Sequence, residues 1–262
     1  MGLKRVLGTA YRQVFKSLRH VGVRRLPVRV NSEWTVWPVE MWDGLRFDHE
    51  DYMANALRQR LSPGMGFADI GAHFGIWSGV AARLVGPEGK VVAAEPSPAF
   101  DMLSLYLKDR RNVILNQVAV GSKEGTTSFV AQGNTMSGAV VGEVTKINEK
   151  MNPGVPLTEI TVSIVTLDSL LSAYNVPRWL IKIDVEGYEA EVLRGATNLL
   201  KANHTDWIVE IHPKQMELSG SRDTDISDIF TSHGYEVRTL HRNPNTIYTI
   251  TASRPQGGGG GK

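Results

Sequence analysis

Two glycines four residues apart, directly after a short apolar run, constrain this chain more than any other feature. The run covers residues 66–70 and contains Asp69; Gly71 and Gly75 follow it, and residues 77–84 can form a helix. A glycine turn lets the backbone approach a ligand because no Cβ stands in the way, and the free N–H groups of a helix start face the same space. The pattern therefore predicts an open α/β sheet with a ligand site at the carboxyl end of this strand.

A second short apolar run, at residues 89–94, ends in another acid, Glu95. In dinucleotide-binding folds, an acid about 20 residues after the glycine turn binds ribose hydroxyls, and Glu95 lies 24 residues after Gly71. The third glycine of the phosphate-binding pattern is missing, since the turn contains only Gly71 and Gly75. Together these features favour a nucleoside ligand that carries no phosphate group.

This part of the chain resembles the cofactor site of class I S-adenosylmethionine methyltransferases, through Asp69, Gly71, Gly75 and the Glu95-Pro96 pair. Three later stretches narrow the resemblance to the FkbM family of methyltransferases. They are residues 116–121, residues 166–170 and residues 181–189, and the last of them is the most specific. The resemblance covers residues 60–215, with one departure: His73 stands where the family usually has Asn.

The resemblance implies an α/β fold built on a Rossmann-like class I methyltransferase sheet. This sheet would be mostly parallel and seven-stranded with an antiparallel last strand, and the chain would add an N-terminal helical extension and a small β insert. The resemblance also implies S-adenosyl-L-methionine as the cofactor. The implied reaction is O-methylation of a hydroxyl on a sugar, glycolipid or small natural product, so the expected partner is a small-molecule or glycan acceptor.

Two other function classes stay open on the sequence alone. One is an NAD(P)-dependent oxidoreductase or epimerase on a Rossmann-like sheet, against which the missing third glycine and the acidic stretch 184–189 count. The other is a non-catalytic nucleoside-binding module, against which the intact acids and glycines count. Calorimetry with S-adenosylmethionine and with NAD separates the three.

The predicted cofactor contacts lie at the ends of the first four strands of the sheet. Glu95 is expected to bridge both ribose hydroxyls, while Asn116 and Ala119 match family positions near the adenine. The whole predicted set is Asp69, Gly71, Ala72, Gly75, Glu95, Asn116, Ala119 and Asp184. For Asp184, a contact with the cofactor amine and a cap on the following helix are both open.

The predicted acceptor site lies where the fourth and fifth strands end, since ligands bind outside the carboxyl ends of such strands. The candidate catalytic residues there are Asp184, His212 and Glu186. Asp184 or His212 could act as a general base on a hydroxyl. Alternatively, Asp184 with Glu210 or His212 could bind Mg²⁺ or Mn²⁺, which would lower the pKa of the hydroxyl.

Charge divides the chain into a basic start and a mildly acidic body. Residues 1–30 hold eight of the 29 lysines and arginines and none of the 27 acids, which leaves 21 basic against 27 acidic residues. A nucleic-acid enzyme more often carries a basic face on its body, so no nucleic-acid partner is predicted.

Apolar residues at three- and four-residue steps from Leu3 to Leu18 predict an amphipathic helix. Either this helix packs on the body or on a second subunit of a homodimer, or residues 1–24 make peripheral contact with an anionic membrane.

The sequence divides into three parts. Residues 1–62 hold the basic amphipathic helix and a cap region, residues 63–254 form the Rossmann-like domain with an insert at residues 121–165, and residues 255–262 form a flexible tail. The chain has no cysteine, so no disulfide is predicted. No apolar run reaches the roughly 18 residues of a membrane-spanning helix. We therefore expect a cytoplasmic protein, either free or peripheral to the membrane.

Within the body, the apolar pattern predicts one unbroken third strand at residues 113–120 and one unbroken helix from Glu189 to Leu200. The insert is expected to contain strands at residues 125–131 and 158–165, joined by a lid or acceptor-binding loop. One or two further short strands are expected at residues 31–48, before the sheet begins.

Overall fold

The structure is a computed structural model of the 262-residue chain. It describes residues 25–30, 33–38, 51–132, 138–140, 157–243 and 246–255. The predicted N-terminal helix, most of the predicted lid and the end of the predicted tail lie outside these residues. Within the described part of the chain, no helix is long and apolar enough to cross a bilayer.

The described residues form an alternating series of strands and helices. The strands are β1 (Arg25–Val30), β2 (Glu33–Pro38), β3 (Gly66–Ile70), β4 (Lys90–Ala94), β5 (Val113–Asn116), β6 (Ala119–Val120), β7 (Gly125–Gln132), β8 (Gly138–Val140), β9 (Leu157–Val165), β10 (Trp179–Ile183), β11 (Thr205–Ile211), β12 (Glu236–Arg242) and β13 (Tyr248–Ser253). The helices are α1 (Asp51–Arg60), α2 (Ile76–Leu84), α3 (Ala99–Leu107), α4 (Leu167–Leu171), α5 (Glu189–Arg194), α6 (Thr197–Lys201), α7 (Pro213–Leu218) and α8 (Asp223–Ser232).

The central sheet has seven strands in the order β12-β13-β11-β10-β3-β4-β5. All neighbours pair in parallel except β13, which is antiparallel to both β11 and β12. The chain begins this sheet in the middle, at β3, adds β4 and β5 on one side and then returns to add β10 on the other. This reversal creates a crevice at the carboxyl ends of β3, β4 and β10, where open α/β sheets bind ligands.

Helices cover both faces of the sheet, because each inner strand is buried on both sides and is apolar almost throughout. Successive residues alternate between two cores, as in any strand. Phe67, Leu180 and Ile208 face the core formed with α1 and α2, while Ile181 and Val209 face the core formed with α5, α7 and α8. Helix α1 thus contributes to the main core although it precedes the first strand of the sheet.

A β-hairpin lies before this core. Strands β1 and β2 pair antiparallel, from Arg25 opposite Pro38 to Val30 opposite Glu33. Leu26 packs against a buried cluster that includes residues of α3, and β2 contacts α2 and α3. Strand β2 falls within the region where short strands were predicted, whereas β1 begins earlier than the sequence pattern indicated.

The predicted third strand is divided in the structure. Strand β5 ends at Asn116, and residues Ala119–Val120 form β6 in a second sheet of order β6-β9-β7-β8. Ala119 pairs with Ile164 of β9 and packs with Phe129. After Asn116 the backbone therefore leaves the central sheet and pairs with the insert.

The predicted helix from Glu189 to Leu200 is also divided, into α5 and α6. A Cβ on Gly195 would lie 2.0 Å from the carbonyl oxygen of Gly121, so only glycine allows this close approach of two backbones. The Asp168 carboxylate then accepts hydrogen bonds from the N–H groups of Asn198 (2.8 Å) and Leu199 (3.0 Å). These bonds satisfy free N–H groups at the start of α6 and stabilise a new helix start.

Candidate active site

The turn after β3 interlocks with the end of β10. The Gly71 N–H donates to the Ala94 carbonyl (3.0 Å), and the Asp184 N–H donates to the Ile70 carbonyl (2.9 Å). Gly71 has a φ of 78°, and a Cβ there would lie 1.8 Å from the Asp184 carbonyl oxygen. Glycine is therefore required twice over, by its backbone conformation and by the approach of β10.

The other two turn residues of the predicted cofactor set face helix α3. Gly75 has a φ of 79°, and a Cβ there would lie 2.4 Å from Cδ1 of Leu103. Ala72 belongs to the same buried cluster as Leu103 and Leu107. Ala72 and Gly75 thus shape the turn by packing beneath it.

Glu95 follows β4, and only 6% of the residue is exposed. Its Oε2 accepts a hydrogen bond from the His73 N–H (2.8 Å), and its Oε1 accepts one from the Ser97 N–H (2.9 Å). Burial raises the pKa of Glu95 above its ordinary value, against the lowering effect of the hydrogen bonds from Ser97 and His73. Because each oxygen has a further lone pair, the fixed carboxylate can still accept hydrogen bonds from a ligand.

His73 supports this arrangement from a left-handed backbone conformation, with a φ of 49°. Asn, Asp and His are the non-glycine residues enriched in this region. The replacement of the family's usual Asn by His73 therefore keeps a residue type that this turn tolerates.

A cleft opens beside Glu95, at the carboxyl ends of the central strands. Five of the predicted site residues line it: Gly71, Glu95, Ala119, Asp184 and Glu186. The remaining lining residues are Ile70, His73, Ala94, Pro96, Val118, Val120, Phe129, Val185 and Tyr188. The cleft therefore joins the ends of β3, β4 and β10 to the wall of the small sheet.

Asp69 lies behind the cleft and does not line it. Its side chain is buried, its Oδ2 accepts a hydrogen bond from the Ser78 hydroxyl (2.6 Å), and its Oδ1 lies 3.4 Å from Nζ of Lys182. The same ammonium lies 3.2 Å from Oδ2 of Asp184. Asp69 is thus connected to the cleft only indirectly, because the Lys182 ammonium lies between its carboxylate and that of Asp184, which lines the cleft.

Asn116 also supports the site without lining the cleft. Its carbonyl accepts a hydrogen bond from the Glu95 N–H (3.1 Å), and its side-chain amide donates to the Ala93 carbonyl (3.4 Å). Of the two residues predicted near the adenine, only Ala119 faces the cleft.

The loop after β10 and the residue after β11 bring three carboxylates around one imidazole. Nδ1 of His212 lies 2.8 Å from Oε1 of Glu189. Nε2 of His212 lies 3.6 Å from Oε2 of Glu186 and 3.9 Å from Oδ1 of Asp184. His212 is 3% exposed and Glu189 fully buried, so the two form a rigid base for the more accessible Asp184 and Glu186. Glu189 was not among the predicted site residues.

The charges of this group influence one another strongly. Burial acts to lower the pKa of His212, but the hydrogen bond with Glu189 and the charges of Glu189, Glu186 and Asp184 raise it to about 10. Burial acts to raise the pKa of Asp184, yet Lys182 and His212 hold it below its ordinary value. Burial raises the pKa of Glu186, although 47% of its side chain is exposed. The group as a whole stabilises positive charge at His212.

Among the described residues, Asp184, Glu186 and His212 also have the spacing of a metal site, since one ligand atom of each lies within 4.8 Å of the others. The predicted ligand Glu210 is not in this group; it lies on β11, opposite Thr249 of β13. Glu186 takes part in its place. Its φ of 54° marks a left-handed turn that periodicity in the sequence does not reveal.

The seven-stranded sheet with one antiparallel strand, and a cleft with a buried acid after its second parallel strand, define the fold of class I methyltransferases. A model of the FkbM methyltransferase domain matches residues 69–237. The chain belongs to this family. The predicted family, fold class and enzyme class are confirmed, and the nicotinamide-dependent and non-catalytic alternatives are not favoured.

Three relatives illustrate the range of similarity. The chain is 30% identical over 152 residues to the hexuronic acid methyltransferase AglP of Haloferax volcanii, over 55% of this chain and 54% of that protein. It thus spans about half the length of this relative. An FkbM methyltransferase structure from Methylobacillus flagellatus KT has a TM-score of 0.50 at 14% identity, over 74% of this chain and 44% of that one. A precorrin-6y C5,15-methyltransferase from Geobacter metallireducens GS-15 has a TM-score of 0.46 at 17% identity, over 80% and 91%. At 14% identity, the likeness to the Methylobacillus flagellatus structure concerns the fold alone.

Proposed function

We propose that the chain transfers the methyl group of S-adenosylmethionine to an oxygen atom of a sugar. The observation that carries the proposal is Glu95, a buried carboxylate fixed by two backbone N–H groups at the edge of the cleft. Such an acid suits the ribose hydroxyls of a nucleoside cofactor. The family supports the choice of methyl donor, and the name of the AglP relative supports a sugar acceptor.

In this reaction the acceptor oxygen attacks the methyl carbon while the carbon–sulfur bond breaks. A hydroxyl acceptor loses its proton, and the products are a methyl ether and S-adenosylhomocysteine. The sulfonium already makes the methyl group electrophilic, so alignment is the main task of the protein, and alignment can supply ~7–11 kcal/mol. Glu95 and the loop after β10 face the cleft from different strand ends, which suits a donor and an acceptor held side by side.

Asp184, Glu186 and His212 form the acceptor side of the proposal. Either Asp184 accepts the hydroxyl proton directly, because His212, with its pKa raised to about 10, already holds a proton, or the group exchanges that proton for Mg²⁺ or Mn²⁺, which lowers the pKa of the hydroxyl. A hexuronic acid acceptor presents hydroxyl groups and a carboxylate, so its methylated product is an ether or an ester.

Methyl-labelled S-adenosylmethionine with a panel of hexuronic acids, neutral hexoses and glycolipids tests the acceptor class. We expect label to enter at least one sugar of the panel. Mild alkali then releases label from an ester and leaves an ether intact. Binding of S-adenosylmethionine without transfer to any sugar would contradict the acceptor class, and binding of NAD in its place would contradict the reaction itself.

Replacing Glu95 with Ala is expected to weaken S-adenosylmethionine binding at least ten-fold. The substitution removes the charged acceptor of the ribose hydroxyls, and hydrogen bonds to charged groups contribute about 1.5–3 kcal/mol each. Calorimetry measures the affinity. Glu88→Ala, which changes an exposed acid before β4, is the control and should bind like the parent chain. Since Glu95 also accepts hydrogen bonds from the His73 and Ser97 N–H groups, circular dichroism checks that the variant is folded. Unchanged affinity for S-adenosylmethionine would mean that Glu95 only holds this turn in place and does not contact the cofactor.

Deletion of residues 1–24 is expected to leave S-adenosylmethionine affinity unchanged, because every residue proposed to hold the cofactor lies after them. The same deletion separates the roles predicted for the segment. Loss of binding to anionic vesicles, with salt sensitivity in the full chain, supports peripheral membrane contact, since exposed charges are screened over about 8–10 Å at physiological salt. A change from dimer to monomer in sedimentation supports the homodimer instead, and weakened cofactor binding would contradict the expectation.

A further inference from the structure

Asp184, Glu186 and His212 have the composition and spacing of a metal centre. We propose that Asp184, Glu186 and His212 bind one divalent cation, with Glu189 holding the histidine in position. The donor atoms are Nε2 of His212, Oδ1 of Asp184 and Oε2 of Glu186, with Nε2 at 3.9 Å and 3.6 Å from the two oxygens. Ligands at ~2.0–2.2 Å from one ion lie about 3–4 Å from each other, so these separations fit a shared ion.

His212 is oriented as a metal ligand would be. Its Nδ1 is engaged by Glu189 at 2.8 Å, and a carboxylate acceptor there keeps one ring proton on Nδ1, so that the second proton lies on Nε2 and leaves when a cation binds there. Nε2 then faces Asp184 and Glu186, and within the described part of the chain it has no acceptor at hydrogen-bond distance. Histidines that bind metals usually donate their other ring N–H to a carboxylate or carbonyl, which fixes the ring and raises its basicity.

Glu189 is itself fixed by the loop that it supports. The carboxylate is fully buried, and its Oε1 also accepts a hydrogen bond from the Gly187 N–H (3.0 Å). The Gly187 carbonyl in turn accepts a hydrogen bond from the Ser219 hydroxyl (2.7 Å). The loop between Asp184 and Glu189 is therefore braced from the end of α7, which holds the donor atoms in place before an ion arrives.

The charge balance of the site favours a cation. Lys182 lies between Asp69 and Oδ2 of Asp184, at 3.4 Å and 3.2 Å. This leaves Oδ1 of Asp184 and the carboxylates of Glu186 and Glu189 around a single imidazole. Two carboxylates with one imidazole suit Mn²⁺ and Mg²⁺ better than the softer metals that prefer thiolates. The chain has no cysteine to compete for them.

The role of this ion rests on the proposed methyl transfer, whereas its binding does not. Asp184 and Glu186 line the same cleft as Glu95. An ion held by them would coordinate the acceptor oxygen and lower the pKa of a hydroxyl, so that it reacts as an alkoxide.

Electron paramagnetic resonance with Mn²⁺ alone as the probe tests the binding. We expect the full chain to remove one Mn²⁺ per molecule from solution, with and without S-adenosylhomocysteine, and Mg²⁺ to compete. Glu186→Gln, at the most exposed ligand, should weaken Mn²⁺ binding at least ten-fold without affecting folding. Glu189→Gln should weaken it about 10–100-fold, as loss of a residue that orients a ligand does. Glu210→Gln is the matched control: it changes an acid on the neighbouring strand outside the group and should leave the affinity unchanged.

Absence of saturable Mn²⁺ binding in the parent chain would overturn the proposal. So would equal affinity in Glu186→Gln and the parent, since the ion would then lie elsewhere. Calorimetry with S-adenosylmethionine on the same preparations separates this failure from failure of the proposed function. Normal cofactor binding without Mn²⁺ binding removes only the metal, whereas loss of cofactor binding by the parent chain removes the methyl transfer itself.

Discussion

Asp184→Asn is expected to reduce the turnover of methyl transfer by about 100-fold or more, the range for lost acid–base or metal assistance. The substitution keeps the size of the side chain and removes the charge that lies between Lys182 and His212. Affinity for S-adenosylmethionine should change little, because Glu95 provides the main cofactor contact in the proposed site. Single-turnover rates at saturating acceptor, with calorimetry for the cofactor, measure the two quantities separately.

The control for this variant is Asp101→Asn, which removes an exposed acid in the first turn of α3 and should react like the parent. Chelation then distinguishes the two routes of activation. We expect a chelator to stop turnover and Mn²⁺ or Mg²⁺ to restore it, since hard cations prefer oxygen-rich sites. Turnover that is insensitive to chelation but lost in Asp184→Asn would support a direct base. Near-normal turnover of Asp184→Asn would leave this residue an ion-pair partner of Lys182.

The central sheet could be predicted because its inner strands are buried on both faces and therefore appear as apolar runs bounded by turn residues. Strand β3 begins and ends where the sequence pattern indicated, at residues 66–70. The division between β5 and β6 could not be predicted in this way. It depends on the pairing of Ala119 with Ile164, a contact between segments that are distant in the sequence and that no local pattern encodes.

The candidate site shows the same division between local and tertiary information. Spacing from the glycine turn and the turn itself led to the prediction of Glu95 and Gly71, and both residues line the cleft. Glu189 looked like an ordinary acid in the first turn of a helix, where a negative charge is favourable at the surface. Its complete burial against His212 arises where α5 packs on β11, just before that strand ends, so the role proposed for it emerges only in three dimensions.

Gly71→Ala is expected to destabilise the fold far more than Gly64→Ala, although both glycines have a left-handed backbone. Their φ angles are 78° and 85°, so the left-handed backbone destabilises the folded state of each alanine variant by a similar amount, roughly 1–2 kcal/mol. A Cβ at Gly64 would meet nothing within 4 Å, whereas a Cβ at Gly71 would lie 1.8 Å from the Asp184 carbonyl oxygen. Overpacking of this kind typically costs a further ~1–3 kcal/mol.

Relief of the overlap requires the end of β10 to move away from β3, because the contact is with backbone and not with a flexible side chain. That movement strains the hydrogen bond from the Asp184 N–H to the Ile70 carbonyl and shifts Asp184 relative to the cleft. Urea unfolding measures the effect: Gly71→Ala should lower the midpoint much more than Gly64→Ala, with similar slopes in all three chains if each unfolds in two states. The folded fraction of Gly71→Ala should also bind Mn²⁺ and S-adenosylmethionine more weakly than that of Gly64→Ala. Equal midpoints for the two variants would mean that β10 moves to accommodate the added methyl group with little loss in the free energy of unfolding. The junction of β3 and β10 would then not determine the geometry of the site.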